Sequence, residues 1–129
     1  MTTRAAVRLP RDSTRQAEGL LLGEIGRVLN RWSGLVILAF VAVHVVGQAA
    51  LRVDALYPLL TVAPLLASFQ GDAWVRALLF ASATYHSLYG ARLIALELGA
   101  RLSQRGSLVT TIAAALAVAL REVVVGAWR

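Results

Sequence analysis

The chain has no cysteine and no lysine. Without cysteine it can form no disulfide, hold no zinc through thiolates and ligate no iron-sulfur cluster, so any metal must be taken by histidine or oxygen. It also lacks the glycine-rich motif that opens a dinucleotide-binding unit. Charge is scarce: 16% of the 129 residues are charged, 58% are hydrophobic and the mean hydropathy is +0.68. Those values lie far from soluble averages and predict one small all-α membrane domain. The formal charge of +6 comes from thirteen arginines against seven acids. Because the arginines neither run together nor line one face, they read as membrane-flanking charges, and nucleic acid is not an expected partner.

What remains is organised around apolar runs. Residues 1–17 carry Arg4, Arg8, Arg11 and Arg15 and read as a flexible cytoplasmic tail; no secretory-signal core of about 7 to 15 apolar residues precedes Trp32. Over 18–30, Leu21, Leu22, Ile25, Val28 and Leu29 recur at helical spacing beside Glu24 and Arg27, the pattern of an amphipathic interfacial helix. Residues 31–129 then hold three expected transmembrane helices, at about 32–52, 72–98 and 107–128. Pro58 and Pro64 predict an apolar loop between the first two, and Gln70-Gly71-Asp72 a turn and cap ahead of the second. A short basic turn, Gly99 to Gly106, precedes the third. Arg121 and Glu122 interrupt that span near the far interface or face a partner.

Nine arginines fall on the side of the tail and the second turn, and four (Arg52, Arg76, Arg121, Arg129) on the other. The positive-inside bias predicts a cytoplasmic N-terminus in a bacterial inner membrane. Both histidines of the chain, His44 and His86, lie within expected spans. An intramembrane histidine is costly unless it faces protein, water or a ligand. Small residues attend both: Gly47 beside His44, and Gly90, Ser82 and Ala83 beside His86. A flat macrocycle needs such clearance, and histidine is the commonest axial ligand of haem iron; close helix packing explains the glycines equally well. With Arg31 and Arg92 taken as the cytoplasmic boundary, His44 lies about 20 Å in and His86 about 9 Å in. Two ligands of one haem share a level, so each histidine would need a partner from another chain. Arg92 and Arg31 are candidate partners for haem propionates.

Asn30-Arg31-Trp32-Ser33-Gly34 resembles the His-Arg-x-Ser-Gly motif, and Tyr85-His86-x-x-x-Gly90-x-Arg92 the His-x-x-x-Gly-x-Arg haem segment, of the cytochrome b subunit of succinate dehydrogenase and its fumarate reductase relatives. The resemblance spans most of residues 20 to 128. It implies haem b with His86 as axial ligand, Arg31 between a propionate and the quinone, and partnership with a second membrane anchor subunit, an iron-sulfur subunit, a flavoprotein subunit and membrane lipid. Asn30 stands where the family has histidine, and Arg27 where a quinone-contacting serine is common. His44 resembles the helix I ligand of the two-haem branch, so one or two haems per complex are expected. Two rivals stand beside this reading: a small structural or assembly membrane protein whose histidines only pack, and a b-type cytochrome subunit of another respiratory complex.

Overall fold

The computed structural model describes residues 11–50, 52 and 63–128. Four helices follow one another: α1 Arg11–Ala50, α2 Ala63–Gly71, α3 Ala73–Glu97 and α4 Gln104–Ala127; there is no strand among the described residues. Of the tail expected over 1–17, residues 1–10 lie outside them while 11–17 belong to α1; the loop residues 53–62, with Pro58, also lie outside them.

The separate interfacial helix expected over 18–30 is not a separate element. α1 runs unbroken for 40 residues through Asn30 and Arg31, a length of roughly 60 Å. No proline falls inside it, and a change from amphipathic to apolar sequence marks a change of surroundings, not of backbone. The Pro64 segment also differs from expectation: the proline lies in the first turn of α2, where a missing N–H costs nothing.

Asp72 caps α3, its side chain accepting from the Trp74 amide at 2.7 Å. Asp72→Ala is expected to cost about 1 kcal/mol of helix stability, read as an earlier thermal midpoint in detergent; an unchanged midpoint would count against the cap. At the other end Gly99, with φ +87°, lets the Ala100 amide reach the Ala95 carbonyl at 2.9 Å and close the helix. Ser103 then caps α4, accepting from the Gly106 amide. That cap starts the helix at Gln104, three residues before the expected Ser107.

α3 and α4 form the closest pair and α1 packs chiefly on α3. The core is small: Tyr85, Tyr89, Leu108 and Ala115, with Leu22, Ala81 and Ile112 against it. The two tyrosines stack at 5.7 Å, and the Tyr85 hydroxyl donates to the Gly26 carbonyl at 3.2 Å, fixing α3 against α1. At the opposite end Glu122 lies between Arg76 and Arg121, so these charges meet one another within the chain. Large apolar side chains otherwise point outward, among them Leu20, Trp32, Leu38, Trp74, Leu116 and Leu120. Two helical stretches, Ala17–Ala50 and Gln104–Ala127, are long and apolar enough to cross a membrane. α3 has the length but carries Ser82, Thr84, His86, Ser87 and Arg92 along its middle, which lowers its apolar character.

Candidate functional site

His86 projects from the middle of α3 toward α1. Its Nδ1 lies 3.2 Å from the Asn30 carbonyl oxygen and 3.4 Å from Ser33 Oγ. A carbonyl only accepts, and the Ser33 hydroxyl already donates to that same oxygen at 2.9 Å. The bond therefore places a proton on Nδ1. In the neutral ring this leaves the Nε2 lone pair free, and Nε2 has no hydrogen bond among the described residues. Orientation through one ring nitrogen by a backbone carbonyl is the arrangement that metal-ligating histidines use.

Gly34 makes the room. A Cβ there would stand 3.2 Å from His86 Cε1 and 3.4 Å from Nδ1. Gly90, one turn along α3, has nothing within 4 Å of an added Cβ, so the surface beside the imidazole is open. The residue itself is exposed. At about 100° per residue, Arg27 and Arg31 fall within roughly 20° and 60° of Gly34 on the circumference of α1. Both cations thus share the flank that His86 faces. Arg27 is paired with Glu24; Arg31 is exposed and has no ion pair among the described residues. Asn30 Oδ1 is buried with no hydrogen-bond partner among the described residues. It is a buried acceptor on the residue whose backbone carbonyl holds the imidazole.

His44 is organised in the same way at the other end. Its Nδ1 lies 3.3 Å from Gln70 Oε1 of α2, and its ring stacks on Phe40 at 6.3 Å. Nε2 is again without a partner among the described residues, and nothing lies within 4 Å of an added Cβ at Gly47. His86 abuts Asn30 to Gly34, so His44 stands about eleven residues, or roughly 16 Å, farther along α1. The separation exceeds the expected 10 Å or so because Arg31 and Arg92 do not share a level. Within one chain the two imidazoles cannot bracket a single metal.

Arg92 is not with them. Six residues from His86 turn it about 120° around α3, and its Nε donates to Ser107 Oγ of α4 while the guanidinium lies 5.6 Å from the centre of the Tyr89 ring. It is 9% exposed. Arg92, expected to partner a propionate, is thus held by α4, and among the described residues Arg31 is the cation on the His86 flank that has no ion pair.

Two contributors escaped sequence reasoning. Ser33 and Gly34 carried no ligand role there, yet they shape the His86 setting; their place in the Asn30 to Gly34 motif was the available signal. No cluster of three or more His, Asp or Glu side chains that could hold a bare metal ion occurs among the described residues. The residues do fit a haem, which brings its own equatorial ligands and asks one imidazole of this chain per iron. Comparison with known proteins matches the chain to no family model, no curated protein and no solved structure.

Proposed function

We propose that the chain is a haem b-binding membrane anchor subunit of a succinate:quinone oxidoreductase, with three spans corresponding to the apolar part of α1, α3 and α4. One observation carries the reading: an exposed imidazole, held through Nδ1 by the Asn30 carbonyl, presents a free Nε2 to an open flank bearing Gly90 and Arg31. Haem, when bound, supplies a one-electron relay. The protein's part is positional. Asn30 and Ser33 fix the tautomer and aim of His86, Gly34 leaves room against the ring, Gly90 leaves open surface one turn along α3, and Arg31 provides a cation for a propionate or a quinone oxygen. His44 with Gln70 would serve a second haem toward the opposite face.

Membrane residence is supported by the outward display of large apolar side chains around so small a core. A second anchor subunit is required because one chain contributes one ligand to each iron. The N-terminal half of α1 is long enough to rise from a bacterial inner membrane on its cytoplasmic side and meet an iron-sulfur subunit, which a flavoprotein subunit would supply with electrons. In this arrangement α3 spans despite its polar middle, since Arg92 and the His86 flank face protein or ligand.

The test is a reduced-minus-oxidised spectrum of the complex purified through this chain, together with its polypeptide content. A b-type α band and co-purifying succinate-oxidising flavoprotein are expected. Absence of the band would leave a structural or assembly protein, and a band without succinate oxidation a cytochrome of some other complex.

A further inference from the structure

Arg92 is the one charged side chain in the buried class among the described residues, and no carboxylate pairs with it. A charge held out of water without a counter-ion is costly. Its Nε bond to Ser107 and the Tyr89 ring compensate part of that cost. Its terminal nitrogens have no hydrogen bond among the described residues. Arg92 lines a groove of about 550 Å³ between α3 and α4, walled by Leu88, Ala91 and Ala95 on one side and by Ser103, Ser107 and Thr110 on the other. The first turn of α4 closes one end. There Ser103 and Gly106 line the groove, and the helix dipole favours an anion. Relative to His86, the wall residues Leu88, Ala91 and Ala95 centre on the far side of α3, about 180° around. The groove is therefore separate from the proposed haem flank.

We infer that this groove is a binding site for a phosphate-bearing anion, with Arg92 as its charged anchor. An apolar wall beside a buried guanidinium and a helix N-terminus matches an anionic phospholipid, headgroup at Arg92 and acyl chain along Leu88 and Ala91; free phosphate shares the recognising chemistry. The inference goes beyond the haem reading and stands on different residues.

The test uses the intact complex, stripped of lipid in detergent and titrated separately with phosphatidylglycerol micelles and inorganic phosphate, with bound ligand read by native mass spectrometry. Retention of phosphatidylglycerol by the wild type is expected, weakened by about tenfold or more in Arg92→Gln through loss of a charge-assisted contact and unchanged in Arg101→Gln. Competition by phosphate at low concentration would assign the site to the free ion, and its failure to compete would assign it to the lipid. Ala91→Phe fills the groove without touching Arg92 and gives the same loss, so the inference stays testable if Arg92→Gln fails to assemble; the b-type α band is expected to survive in Ala91→Phe. Equal retention by wild type, Arg92→Gln and Ala91→Phe would overturn the assignment, as would no retention of either ligand by the wild type.

Discussion

Under the proposed haem-anchor function, His86→Ala is expected to remove one haem b per complex, and with it the matching part of the α band, while the subunits remain assembled. The expectation rests on how little else the side chain does. It is exposed, and its one close hydrogen bond, to the Asn30 carbonyl, is worth about 0.5–1.5 kcal/mol net. Folding therefore survives its loss, whereas the proposed haem site would lose its axial imidazole. Gly34→Ala makes the companion case. Its methyl would stand 3.2 Å from Cε1, so the ring must move by a few tenths of an ångström or swing off the Asn30 carbonyl. A shifted α band or a lowered midpoint potential, with haem retained, is the expected signature. His44→Ala should leave the His86-linked band intact, because the two rings are too far apart to share an iron. Full haem content in His86→Ala would sink the ligand assignment; full content in His44→Ala would sink only the second haem.

Much of α3 was legible in the sequence. Asp72 and Gly99 bracket it with side-chain and backbone chemistry that acts locally, so its limits follow from neighbours along the chain. The helical phase of His86 and Arg92 is written in the sequence too: six residues turn a helix by about 120°, which sets Arg92 off the His86 face and counts against the propionate role expected of it. What the sequence could not supply was the register of α1 against α3. That register depends on Tyr85 reaching the Gly26 carbonyl and on Tyr89 filling the notch at Gly26, contacts between residues some sixty positions apart. It places His86 beside Asn30 and Ser33 rather than deeper, and it sends Arg92 past the level of Arg31 to Ser107. Taking the two arginines as one boundary therefore underestimated the distance between the histidines. The break expected at Asn30 failed for a different reason. Solvent boundaries are written in polarity, helix ends in caps and prolines, and the residues around Asn30 supply the first without the second.

The same alanine substitution at two glycines of α1 is expected to change stability in opposite directions. At Gly19 nothing lies within 4 Å of an added Cβ, so Gly19→Ala should gain about 0.5–1 kcal/mol from helix propensity alone. At Gly26 the added Cβ would stand 2.6 Å from Tyr89 Cε2 and 2.7 Å from its hydroxyl. The ring has little freedom to yield. Tyr89 is 3% exposed, stacked on Tyr85 and covered by the Arg92 guanidinium. Either the ring breaks that stack or α1 moves off α3, and overpacking of this kind costs about 1–3 kcal/mol, enough to reverse the propensity gain. Because the Gly26 carbonyl also receives the Tyr85 hydroxyl, movement of α1 would carry Asn30 and Gly34 away from His86, two turns farther along. Gly26→Ala is therefore expected to lower both the thermal midpoint of the complex in detergent and its haem retention, whereas Gly19→Ala raises the first and leaves the second alone. A stabilising Gly26→Ala would mean that Tyr89 does not hold α1 and α3 in register, and the position of His86 against Asn30 would then need another cause.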